Sequence, residues 1–146
     1  MGDIYSDIAT LQAQMLDVQS DVAALEQALE QSAITDTGWL NLPLADGIQA
    51  YGGSTPQYRK IGKLVAIRGA VKNVLAPGPI ATLPVGYRPT YSVPYVQNTS
   101  MRSTTCAMYD RMIIGADGVI QVQAISDGAA FAADKWFPLH CTFLID

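Results

Sequence analysis

Histidine occurs once in this 146-residue chain, at His140, and cysteine twice, at Cys106 and Cys141. That stock is too small for a His/Cys metal centre or a disulfide scaffold. Nothing marks the chain for an oxidising compartment, so both cysteines are expected as reduced thiols, buried as small apolar residues. No lysine or arginine precedes Arg59, whereas residues 1–32 carry Asp3, Asp7, Asp17, Asp21, Glu26 and Glu30. So acidic a segment is a poor partner for nucleic acid or an anionic membrane. No apolar run approaches the ~18 residues of a membrane span, and no secretory signal is expected from an acidic, periodic N-terminus. Nucleophile-elbow, zincin and phosphate-loop patterns are missing, and no carboxylate pair has a convincing spacing for glycan hydrolysis. The three Asp-Gly pairs (Asp46-Gly47, Asp117-Gly118, Asp127-Gly128) lack the dense acidic loop of a calcium site and read as turns. Neither catalysis, nor a metal, nor a cofactor is expected.

Proline is absent before Pro43, and no glycine lies between Gly2 and Gly38. That leaves room for one long helix, and its seam is visible. Ile4, Ile8, Leu11, Met15, Val18, Val22, Leu25 and Leu29 follow one another at alternating separations of four and three. This is an a/d heptad, with Ile8, Met15, Val22 and Leu29 at a and the others at d. The remaining positions are mostly polar or alanine, so the stripe is narrower than a helix docked on a globular core usually shows. β-Branched residues at both a and d lean toward three strands over two. No cation stands at e or g, so burial of the seam must set the register.

Residues 33–38 lose the heptad and read as a hinge. From Trp39 onward, β-branched and aromatic runs alternate with Gly, Pro, Asn and Asp every eight to twelve residues, the texture of an all-β sandwich or barrel. The expected fold is therefore an α-helical coiled coil (1–32), a hinge (33–38) and an all-β sandwich or barrel-like head (39–146), assembled as a parallel homotrimer. Residues 63–74 alternate as one strand, with Val65, Ile67 and Val71 inward and Leu64, Ala66, Arg68, Ala70 and Lys72 outward. Ile61-Gly62-Lys63 joins it to a strand over 58–61. Strands over 103–114 and 119–125 flank the turn Gly115-Ala116-Asp117-Gly118, with Ile120, Val122 and Ala124 inward. A last strand over 136–145 sets Phe137, Leu139, Cys141, Phe143 and Ile145 on one face. Its other face (Trp136, Pro138, His140, Thr142, Leu144) is half apolar and suits a neighbouring chain.

Saccharide sites need planar hydrogen-bonding groups and an aromatic face for the sugar ring. Tyr109 and Arg111 share a strand face, with Asp110 and Arg102 near them in sequence. The plainer alternative is a solvated edge strand whose charges discourage aggregation. His140 and Trp136 share a face of the last strand, as a glycan contact at a chain junction or as a half-buried interface pair. Tyr87, Arg88, Tyr91 and Tyr95, interleaved with prolines, form an aromatic loop that either adds to such a platform or packs an irregular segment.

Three pieces of the head occur in a telling order: Tyr58-Arg59-Lys60-Ile61-Gly62-Lys63-Leu64-Val65-Ala66-Ile67-Arg68-Gly69, then Ile80-Ala81-Thr82-Leu83-Pro84-Val85-Gly86-Tyr87-Arg88-Pro89, then Asp117-Gly118-Val119-Ile120 before a closing strand with Trp and Phe. Over residues 39–146 the chain resembles the C-terminal head domains of tail-tip and baseplate proteins of bacteriophages that infect Gram-positive bacteria. The resemblance implies a small homotrimer in the virion, a stem held by other tail or baseplate proteins, and β-sandwich heads that recognise host cell-wall saccharide. Lactococcal phage members contact glycan through a His-x-Asp pair followed by a Trp. The counterpart here is Arg111-Met112-Ile113, with Val122 at the Trp position, so the ligand or the site differs. Some relatives with such heads are structural fibres, and a head that binds other virion proteins is the alternative function.

Overall fold

The structure, a computed structural model, describes residues 3–103 and 105–146, with Met101 and Arg102 as backbone alone. The chain divides into two compact units, one through Ile34 and one spanning Thr35–Asp146. The first is a single helix, α1 (Ile4–Ser32). Asp3 caps it by accepting the Tyr5 N–H at 3.0 Å, which satisfies one of the unpaired donors of the first turn. Asp7 adds a carboxylate where the helix dipole is positive. At ~1.5 Å per residue the helix is roughly 43 Å long. No residue of it is buried in the single chain; the eight heptad residues are 46–72% exposed.

Among the described residues the second unit is built from eleven strands. They are β1 (Leu40–Asn41), β2 (Gln49–Ala50), β3 (Gln57–Ile61), β4 (Leu64–Arg68), β5 (Ala70–Lys72), β6 (Gly78–Thr82), β7 (Val93–Ser103), β8 (Cys106–Ile114), β9 (Val119–Ile125), β10 (Phe137–Pro138) and β11 (Cys141–Leu144). They form three antiparallel sheets ordered β1-β3-β4-β11, β10-β5-β2 and β6-β9-β8-β7. One core fills the unit, with Phe137, Ile80, Leu83, Met112, Ile114 and Ile120 fully buried. The 33–38 segment enters this unit at Thr35. Asp36 bridges to Ile61, and the Thr37 N–H donates to the Lys60 carbonyl.

The largest departure from the sequence expectation is a corner. Residues 63–74 are not one strand. Gly69, at φ +106°, breaks them into β4 in one sheet and β5 in another. The closing stretch breaks at the same level, β10 pairing with β5 and β11 with β4, and the Leu139 N–H donates to the Gly69 carbonyl between them. Two adjacent strands therefore turn together, as happens where orthogonally packed sheets exchange strands. Ala70, expected outward, is buried beyond the corner, and so is Pro138.

Three smaller corrections have local causes. A register shift between Arg111 and Met112 sets Met112 opposite Val122 but Arg111 opposite Ala124. One residue of β9 is skipped, so Ile125 turns inward and Ala124, expected in the core, is exposed. Cys106, expected buried, is exposed, while Cys141 is half-buried; both are free. Tyr95 does not belong to a loop but to β7, an edge strand, where Pro94 is tolerated.

Candidate ligand-binding groove

The corner leaves a concave surface on the head. A groove of about 390 Å³ is lined by Tyr51, Ser54, Gly69, Asn98, Trp136 and His140, among others. Gly69 contributes backbone only, because a Cβ there would lie 2.5 Å from the Thr55 carbonyl oxygen. Tyr51 and Trp136 form an aromatic pair, with ring centroids 5.8 Å apart and planes inclined by 30°. Tyr51 stands beside the corner because its N–H donates to the Ala70 carbonyl at 2.9 Å.

Trp136 and His140 are placed by β7. Ser100 Oγ accepts the Trp136 N–H at 2.7 Å, and Thr99 Oγ1 donates to the Trp136 carbonyl. The Gln97 amide holds His140 at both ends: its Oε1 accepts the His140 N–H at 3.2 Å and its Nε2 donates to the His140 carbonyl. On the side facing β7, polar side chains thus take the place of a strand partner for Trp136 and His140.

A second hollow of about 300 Å³ shares Ser54, Gly69 and His140 with the groove and reaches Arg68 and Gln57. Arg68 is fixed there by two hydrogen bonds to Gln57 Oε1, at 2.6 and 3.0 Å, and by stacking at 4.0 Å over the Trp39 ring. Arg59 flanks the same ring at 5.8 Å and is paired with Asp36. The Arg59 hydrogen bond, then the Gly38 N–H, hold the Asp36 carboxyl down at about 2.

The residues singled out from sequence fall into separate places. Trp136 and His140 share the groove. Tyr109 and Arg111 stand together on the outer face of β8, beside Val96 and Ala124. Tyr109 and His140 also border a common trough along β7, with Gln97 and Asn98. Asp110 does not join them. Strand alternation turns it inward, where it is 1% exposed. Arg102 as a side chain lies outside the described residues. The aromatic loop disperses: Tyr87 packs edge-on against Tyr58 at 4.8 Å under the Lys60 ammonium, Arg88 donates to the Leu83 carbonyl, and Tyr91 is exposed.

Sequence reasoning missed Tyr51, Asn98 and the Trp39–Arg68 pair. Tyr51 sits among glycines in a turn-like stretch, and Asn98 lies on a strand without apolar alternation. Trp39 and Arg68 meet only through the pairing of β1, β3 and β4. Among the described residues no cluster of three or more His, Cys, Asp or Glu is placed to hold a metal. Nor is any described helix long and apolar enough to cross a membrane.

The fold is that of phage receptor-binding heads. The receptor-binding protein gp15 of Listeria phage PSA superposes with a TM-score of 0.59 at 18% identity, over 100% of this chain and 89% of that one. The head domain of lactococcal phage bIL170, a receptor-binding domain, gives 0.53 at 14% identity, over 77% of this chain and 99% of that one. No protein-family model matches the chain, and no curated protein matches it in sequence.

Proposed function

We propose that the chain is a virion receptor-binding protein, carried by tail or baseplate proteins, whose β head recognises host cell-surface saccharide. The observation that carries this reading is the groove at the corner. It combines an aromatic pair, Tyr51 and Trp136, with the planar polar groups of Asn98 and His140, and Arg68 lines the adjoining hollow, the set a sugar ring needs for stacking and hydrogen bonding. Tyr109 and Arg111, on the outer face of β8, form the second candidate surface.

The helix supports a parallel homotrimeric coiled coil as the stem. Its seam is uncovered in the single chain, and Leu11, Met15 and Val18 border an apolar hollow between Gln14 and Gln19 that would seat a knob from another helix. Three heads on one stem compensate for weak single sites. A sugar exchanges water hydrogen bonds for protein ones with little net gain, and multivalency adds about two to four decades where geometry allows.

A second reading, a structural virion protein whose head docks on other virion proteins, is favoured by a different observation. Leu144, Leu64 and Ile61 lie in register across β11, β4 and β3 and are all exposed, an apolar row suited to a protein partner. Attachment to host cells separates the two. Trp136→Ala should abolish attachment with the oligomer intact, and Tyr109→Ala and Arg111→Ala test the outer face of β8. If the unmutated protein binds no host envelope but does bind tail or baseplate proteins, the structural reading replaces the first.

A further inference from the structure

We infer that Asp110 is a proton-operated latch on His140, which lines the groove: protonated, it lets Gln97 hold the His140 backbone in place, and ionised, it draws Gln97 away and loosens it. This rests on reading the groove as the saccharide site, and it predicts weaker binding as the pH rises. The geometry behind it is a pair of unanswered polar groups in the head interior. Neither carboxylate oxygen of Asp110 makes a side-chain hydrogen bond of normal geometry, and the buried Tyr95 hydroxyl is also without a partner. Asp110 lies directly opposite Gln97 in the β7–β8 register, the distance at which cross-strand side chains interact. Both ends of the Gln97 amide are committed to the His140 backbone.

A carboxylic acid in that position needs little from its surroundings. A carboxylate needs several donors, and a dry site makes their absence costly. Side-chain donors of this interior include the Tyr95 hydroxyl and Gln97 Nε2, the group that holds the His140 carbonyl; the Thr99 hydroxyl, which also faces in, is committed to the Trp136 carbonyl. An ionised Asp110 competes for Gln97 Nε2, and each success frees one end of the clamp. The other titratable groups facing this interior are the Tyr95 phenol on β7 and the Cys141 thiol on β11, both raised by burial. β9 sets Ile125 opposite Asp110, and Arg111, the next residue on β8, belongs to the exposed face. Among the described residues no cation forms an ion pair with Asp110.

Burial raises the Asp110 carboxyl from 3.8 to about 7, against the opposing pull of the backbone N–H groups of Gln97 and of Asp110 itself. A loosened, hydrated Asp110 would return toward its ordinary value. The closed form therefore holds a proton that the open form releases between about 4 and 7, and opening becomes easier as the pH rises through that window. Above about 7 the effect is complete.

The test uses the full chain. Exchange of the His140 amide, corrected for intrinsic rates, should show protection falling with pH between 5 and 7, by up to about tenfold per pH unit, then levelling. Asp110→Asn, which cannot ionise, should be flat across that range. Should that variant fail to fold, carbon-13 NMR of the wild-type Asp110 carboxyl replaces it, with a titration midpoint near neutrality expected. Protection that does not change with pH, the same slope in Asp110→Asn, or a midpoint below 5 would overturn the latch. Binding to an array of bacterial cell-wall polysaccharides at pH 5.5 and 8 tests its effect on the groove. Trp136-dependent binding that is equal at both pH values defeats the latch and leaves the saccharide reading standing. A latch seen by exchange in a protein that binds no polysaccharide defeats the saccharide reading instead.

Discussion

Gly69→Ala puts the corner itself under test. At φ +106° a residue with a Cβ is strained, at a cost of about 1–3 kcal/mol. The new atom would also lie 2.5 Å from the Thr55 carbonyl oxygen, 2.6 Å from Pro56 Cα and 2.7 Å from Pro56 N. All three are backbone atoms, so no rotamer change relieves the overlap, and overpacking of this kind adds about 1–3 kcal/mol. Together the two effects predict a loss of ~4 kcal/mol, a large part of the ~5–15 kcal/mol that holds a domain folded. Urea denaturation of the full chain should show the midpoint falling by about 2 M at an m-value of ~2 kcal/mol/M, with the slope unchanged. Protein concentration must be matched, because association shifts apparent stability. Gly53→Ala is the control: that glycine borders the same surface, has no positive φ and has nothing within 4 Å of an added Cβ. It should be neutral or slightly stabilising. A Gly69→Ala protein as stable as the Gly53→Ala protein would refute the steric account of why the strands turn here.

Three further outcomes are expected. Sedimentation should give a mass near three chains of 15.6 kDa, and Val22→Asp with Leu25→Asp should reduce it to one, since like charges would meet along the axis; a dimer would correct the strand number. The Asp36 carboxyl is lowered by its pairing with Arg59, so its contribution is present above about 4 and is lost as the pH falls toward about 2. Asp36→Asn should flatten the acid limb of the stability profile, and an unchanged limb would show that the pair contributes nothing. Under native conditions a maleimide should modify exposed Cys106 about tenfold faster than Cys141, whose thiol burial has raised; equal rates would contradict the packing of β11.

Features with a short period were legible before the structure. The helix declares itself because its apolar residues repeat every three or four positions, and the Asp117-Gly118 turn because its chemistry is local. There Gly115 and Val119 close the hairpin, and Asp117 Oδ1 accepts the Val119 N–H. The corner was hidden because Val65, Ile67 and Val71 keep a period of two straight through Gly69. Only the glycine hints at a break, and the reason for it, Pro56, comes from another part of the chain. β7 escaped notice because its inward positions are polar: Gln97 and Thr99 face in to bond the backbone of residues 136–140 rather than to fill a core. Asp110 was misplaced by its charge. The phase set by Met108, Met112 and Ile114, all buried, already puts it inside. Trp136 and His140 could be named from their residue types, but their aromatic and polar companions come from β2, β4 and β7 and meet only in three dimensions.

Trp136 and His140 are gripped by their peptide groups, not by their side chains. Ser100, Thr99 and Gln97 address only N–H and carbonyl groups of Trp136 and His140, which every residue but proline offers alike. The Trp136 and His140 side chains, which both line the groove, are therefore exempt from the constraints that hold their backbone in place. Substitution at positions 136 and 140 can change what the surface recognises while the attachment persists, whereas drift at 97, 99 or 100 removes the bonds that place both residues. A lineage under pressure to follow a changing ligand would vary the first pair and keep the second trio.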